Sequence, residues 1–144
     1  MKLSSLLLGA MVGVFGAGTA FAEGFESLPD DQPTMVGGVD VACTGVGDEA
    51  KSDPRWKDYS VRLEFAGGEQ QYLADLDVSI ADAKGERLAA VRCGGPWLLV
   101  NLGPGKYRVR ATFDHRLTKT VTIAAPPQGQ KRIVIAFPEV GGEQ

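Results

Sequence analysis

Apolar side chains recur at every second position in five separate runs of this sequence, and that period belongs to a strand. Val61, Leu63 and Phe65 alternate with Arg62 and Glu64, and Leu76, Val78 and Ile80 alternate with Asp77 and Ser79. The pattern returns in Tyr107, Val109, Ala111 and Phe113, in Val121 and Ile123, and in Ile133, Ile135 and Phe137. Each run is expected to bury one face and wet the other. Turn signals separate the runs: "DAKGE" (82–86) reads as a hairpin with Gly85 in the left-handed position, "GPG" and "FDHRL" as two more reversals, and "APPQGQ" as a looser one. No stretch is long enough for a helical crossover, so the spacing predicts an all-β, antiparallel sandwich of seven or eight strands. The one helical piece expected is "SDPRWKDY", with Asp53 as cap and Pro54 at the first helical position.

The chain opens with Lys2, a short apolar run from Leu6 to Ala17 interrupted by glycines, and Thr19-Ala20-Phe21-Ala22. That order predicts a secretory signal peptide over 1–22. The run falls short of the roughly 20 apolar residues of a comfortable membrane span. Cleavage after Ala22 takes 22 residues and one lysine from a 144-residue chain of formal charge −3, leaving 122 residues at −4. Such a length suits one domain with a real core. The acidic balance offers no electrostatic reason to expect nucleic acid or an anionic membrane as partner. Segment 23–35, "EGFESLPDDQPT" and its flanks, has two prolines and no period, so it is expected to be a flexible leader. The sandwich is then expected over 36–138 and a disordered tail over 139–144.

Only two cysteines occur, Cys43 and Cys93, and both survive the expected cleavage. In a secreted chain an even pair reads as a disulfide. Closing a loop of about 50 residues would stabilise by roughly 4 kcal/mol on the chain-entropy model. Redox pairs favour Cys-x-x-Cys spacing, and two thiolates without histidines make a poor zinc site.

At "ADLDVSIADAKGERLAAVRCGGPWLLVNLGPGKYRVRATF" (74–113) the chain resembles a known family. A strand, a D-x-x-G hairpin, a second strand, a glycine pair before an apolar strand, and Leu102, Pro104, Gly105 and Tyr107 leading into a long alternating strand are similar to the carboxypeptidase regulatory-like domain. The resemblance implies a transthyretin-like (prealbumin-like), Ig-like sandwich of Greek-key type, of the kind found in small secreted proteobacterial proteins. It implies an accessory or binding module; a peptidase would need a separate zinc domain. Related sandwiches include starch-binding modules. The hydroxyisourate hydrolases share the architecture but use several histidines and a Tyr-Arg-Gly-Ser tail, whereas this chain has one histidine and ends Gly-Gly-Glu-Gln.

The side chains exclude more chemistry than they support. His115 alone cannot make a histidine metal cluster, and it sits in a turn beside Asp114. No G-x-S-x-G elbow surrounds Ser60 or Ser79. Asp75 and Asp77 share a strand face, yet calcium wants six to eight oxygens, and cross-strand pairing with Arg62, Arg108 or Arg110 explains them as well. "TGVGDE" (44–49) lacks the Gly-Lys-Ser/Thr end of a phosphate loop. We therefore expect no catalytic residues, no metal and no cofactor. Aromatic faces that could stack on sugars are Trp56, Tyr72 and Trp97, with Trp56 on its loop expected to be the most exposed and Trp97 at the core edge. The reading is a periplasmic or secreted, non-catalytic binding or envelope-associated module with a protein or glycan partner. The alternatives are a carbohydrate-binding module and an enzyme of a kind no motif reveals.

Overall fold

The alternating runs close into two mixed five-stranded sheets that share one apolar cluster. The structure is a computed structural model that describes residues 24–141; the expected signal peptide and the last three residues lie outside the described residues. The strands are β1 (Glu26–Ser27), β2 (Thr34–Val36), β3 (Val39–Thr44), β4 (Val61–Gly67), β5 (Leu76–Asp82), β6 (Arg87–Cys93), β7 (Trp97–Val100), β8 (Gly105–Phe113), β9 (Leu117–Ala125) and β10 (Lys131–Phe137). The first sheet has the order β1-β6-β5-β8-β9 and the second β10-β4-β7-β3-β2.

Most of the predicted inward residues are the core, and Tyr107, Phe113, Val121 and Ile133 are half-buried against it. Val61, Leu63, Phe65, Leu76, Val78, Ile80, Val109, Ala111, Ile123, Ile135 and Phe137 are all buried. Pairing sets Ile133, Leu63, Leu98 and Cys43 side by side in the second sheet, and Val91, Val78 and Ala111 in the first. Each fully buried aliphatic or aromatic side chain contributes about 1.5–3 kcal/mol.

Cys43 of β3 and Cys93 of β6 are joined by a disulfide, with 5.5 Å between Cα atoms. It staples one sheet to the other, because β3 and β6 belong to different sheets. Gly95 is needed beside it: a Cβ there would collide with the Thr44 carbonyl oxygen, and the Gly95 N–H points to Cys43 Sγ at 3.1 Å. An intramolecular disulfide in the core points to an oxidising, extracytoplasmic environment.

The "DAKGE" hairpin forms as expected. Asp82 Oδ1 accepts from the N–H groups of Lys84 and Glu86, both at 2.9 Å, and Gly85 takes φ +91°. In "FDHRL" the reversal uses two left-handed residues, Asp114 and His115, of types enriched in that region.

The arrangement departs from the expected antiparallel seven or eight strands in two ways. Among the described residues ten strands form, and two strand pairings are parallel: β10 beside β4 from Lys131↔Val61 to Phe137↔Gly67, and β1 beside β6. The chain leaves β9 through residues 126–130 and crosses to the facing edge of the second sheet, where β10 lies against β9 and runs parallel to β4. There the Lys131 N–H donates to Ser60 O at 2.8 Å and sets the register.

The segment expected to be a flexible leader is instead part of the domain. Glu26 and Ser27 pair with Val91 and Arg92, Leu28 is buried, and Asp31 N–H donates to Cys43 O at 2.8 Å. Leu28 supplies the apolar anchor and backbone pairing the rest, so this strap ties both sheets without any sequence period. The described part of the expected tail is also held: Gly68 N–H donates to Val140 O at 2.7 Å, and Val140 packs on the core.

Candidate functional site

Two of the three aromatic candidates are not available to a ligand. Trp56 is 3% exposed and joins Ala42, Tyr59, Trp97 and Leu99 in a second apolar cluster on the outer face of the second sheet. It gets there because Asp53 caps a short 3₁₀ turn, Pro54–Asp58, whose geometry turns the indole onto the sheet. Its Nε1 donates to Ala50 O at 2.7 Å, and Gln130 Nε2 donates to the Trp56 and Tyr59 carbonyls at 2.6 and 3.1 Å. The expectation that Trp56 is the most exposed aromatic is thus corrected: the loop is fastened down by it. Trp97 is buried in the same cluster, under the Arg62 guanidinium at 4.1 Å from its ring centroid, and faces away from the disulfide. Tyr72 alone is open, 48% exposed, with Lys51 Nζ 4.7 Å from its ring centroid.

The charged groups on this face are spent on one another. Glu64 is buried, and both its oxygens accept from Arg132 at 2.9 Å while Arg62 Nε lies 2.8 Å from Oε2. The Glu64 carboxylate raises the Arg132 guanidinium above its ordinary value. Tyr59 donates to Asp40 Oδ1 at 3.0 Å, and burial together with that bond pushes its phenol up. Asp53 takes three contacts from its neighbour Arg55, whose side-chain hydrogen bonds hold its carboxyl below the usual range. Asp53 stands with Asp31, Asp48 and Glu49 around an open depression over the "TGVGDE" loop, an acidic wall unsuited to phosphate.

The outer face of the first sheet is different. Strand pairing aligns Arg87, Ala81, Arg108 and Thr122 in one row, Ser79, Arg110 and Thr120 in the next, and Arg92, Asp77, Thr112 and Thr118 in the third. In the third row the charge is neutralised, because Arg92 Nε meets Asp77 Oδ1 at 2.7 Å. Asp77 was expected to pair with Arg62, Arg108 or Arg110; its partner is Arg92, which the β5–β6 register sets directly opposite. His115, expected to be an exposed turn residue, is 78% exposed, with Nδ1 3.7 Å from Asp77 Oδ2.

In the first two rows Arg108 and Arg110 have no carboxylate partner among the described residues. Successive outward residues of β8 stand about 7 Å apart, so these two like charges are neighbours with no screening group between them. The Arg87 guanidinium lies across β5, 5.5 Å from the Phe25 ring centroid. Between the arginines the outward residues of β5 are small, Ser79 and Ala81, so the strand is the floor of a trough. Three adjoining depressions of about 300, 300 and 160 Å³ run along it, neighbours sharing Gly85 and Arg108, then Ser79, Arg87 and Arg110. None of these arginines was singled out as a site from sequence. The available signal was the R-x-R of "KYRVRATF", which puts two cations on one strand face.

Among the described residues no group of three or more His, Cys, Asp or Glu could hold a metal ion, and no helix is long and apolar enough to cross a membrane. No protein-family model matches the chain, and no curated protein matches it.

Proposed function

We propose that this chain is a non-catalytic module, periplasmic or secreted, that binds an anionic ligand on the outer face of its first sheet. The observation that carries this reading is the pair Arg108 and Arg110, side by side on β8 with no carboxylate partner among the described residues and bordering a small-residue trough, on a chain of net charge −3. Two like charges set side by side on an exposed face repel each other, and a bound anion relieves that repulsion. Arginine suits the task because its planar fork meets carboxylate, sulfate or phosphate oxygens in pairs. The disulfide supports the compartment, and the two-sheet architecture is compatible with a carboxypeptidase regulatory-like, transthyretin-like module. The neutral-glycan alternative keeps Tyr72 of its three aromatic platforms, since Trp56 and Trp97 are buried.

The test is retention of the mature protein on a sulfated or carboxylated resin against a neutral one. Retention should weaken as salt rises, because exposed charges are screened. Arg108→Ser with Arg110→Ser should elute at markedly lower salt, while Lys57→Ser with Lys131→Ser, which lie off this face, should not. Equal elution of both double variants sinks the proposal.

A further inference from the structure

Given that this face takes anions, we infer that its occupant is a linear polysaccharide bearing carboxylate or sulfate groups, lying lengthwise along β5. The shape argues for a polymer. The floor strand runs about 17 Å from Asp77 to Asp82 at roughly 3.4 Å per residue, and the three depressions adjoin along it without an enclosing wall. A single small anion would need a closed pocket; an extended chain needs a trough open at both ends.

The charges are repeated rather than focused. Arg108 and Arg110 stand about 7 Å apart on one wall and are the charges a ligand would meet first, while Arg87, engaged with the Phe25 ring, marks the other wall two strand spacings away, roughly 10 Å. A ligand with one charge per repeat can meet them in turn. Between and beside the cations stand hydroxyls: Ser79 on the floor, with Thr112, Thr120 and Thr122 along the β8–β9 side. Each both donates and accepts, which matches the hydroxyls of a sugar ring between its charged substituents.

Two other polyanions fit less well. Single-stranded nucleic acid is held by bases stacked on open aromatic rings; the floor positions Asp77, Ser79 and Ala81 carry none, and the two rings at the trough's margins are half-buried, Phe25 under the Arg87 guanidinium and Tyr107 against the core. An anionic membrane favours apolar side chains that enter the interface beside the basic ones. Among the described residues the exposed large apolar side chains are Met35, Val46, Tyr72 and Val134. All four belong to the second sheet or to segments that flank its strands.

Calorimetric titration of the oxidised mature protein tests this with five probes: oligogalacturonates of increasing length, an oligosaccharide sulfate, a neutral glucan and, as the non-glycan arm, anionic phospholipid vesicles and a thymidine oligonucleotide. Affinity for at least one charged glycan should rise with chain length and level off once the trough is filled, and the neutral glucan should not bind. Arg108→Gln with Arg110→Gln should weaken that binding about tenfold or more. Thr120→Val with Thr122→Val should weaken it about threefold while leaving the salt dependence unchanged, which a purely electrostatic surface would not show. An unchanged near-ultraviolet circular dichroism spectrum confirms that each variant is folded. If the vesicles or the oligonucleotide bind through the same arginines and no charged glycan does, the polysaccharide inference is overturned while the anion face stands. If no polyanion binds, both fall.

Discussion

Glu64 shows how a strictly alternating strand can put a charge where water does not reach. Its parity on β4 turns it outward beside Trp97, yet it is buried, and there Arg132 donates to both its oxygens while the Arg62 guanidinium stands 2.8 Å away as a second countercharge. Tyr59 meets the same demand with one bond to Asp40. Tyr59→Phe should cost about 1–2 kcal/mol, read from the urea midpoint at pH 8, because the Asp40 carboxylate loses a buried donor. The pH dependence has a definite sign. Burial and Asp40 raise the phenol above its ordinary 10.0, so the folded state favours the neutral form. Its stabilisation is complete below pH 10.0 and is lost as the pH rises from there through the raised value. The wild type should therefore lose more stability than Tyr59→Phe between pH 8 and pH 11; equal losses would show that the phenol does not titrate with folding.

At the scale of elements, the loop between β3 and β4 is held by one large anchor. Trp56 fills the outer-face cluster, and its carbonyl is bonded by Gln130, 74 positions away in sequence. Trp56→Ala should destabilise by about 3 kcal/mol and speed hydrogen exchange through residues 47–59. A loss below about 1 kcal/mol would mean the loop is held by its backbone bonds alone. Here sequence was partly legible: the Asp53 cap and Pro54 start were readable from local chemistry, and both are present. The burial of Trp56 was not readable, because it depends on Ala42 and Leu99 of two other strands leaving room beside it. The strap of residues 26–31 was hidden for a similar reason. Its bonds run from backbone to backbone, with Arg92 and Cys43, and leave no periodic trace in side chains.

For the whole molecule, the Cys43–Cys93 bond is the covalent cross-link between sheets that otherwise meet through apolar contact and the strap of residues 26–31. Replacing both cysteines with alanine should lower stability by about 2–5 kcal/mol in denaturant, with the loss shared by both sheets in a single transition. A first sheet that unfolds separately would refute the staple role. What the sequence by itself determined is everything governed by neighbours in the chain: which side of each strand is apolar, where the hairpins reverse, and that two cysteines stand ready to pair. Strand parity is a property of the backbone and needs no partner. Only the tertiary structure decided which strands lie side by side. That choice set β10 parallel to β4, gave Asp77 to Arg92, and gathered Arg87, Arg108 and Arg110 around β5. Charges that look evenly mixed along the chain become a basic face because register is fixed by core packing between distant segments, and packing acts on the inward residues while the outward ones follow.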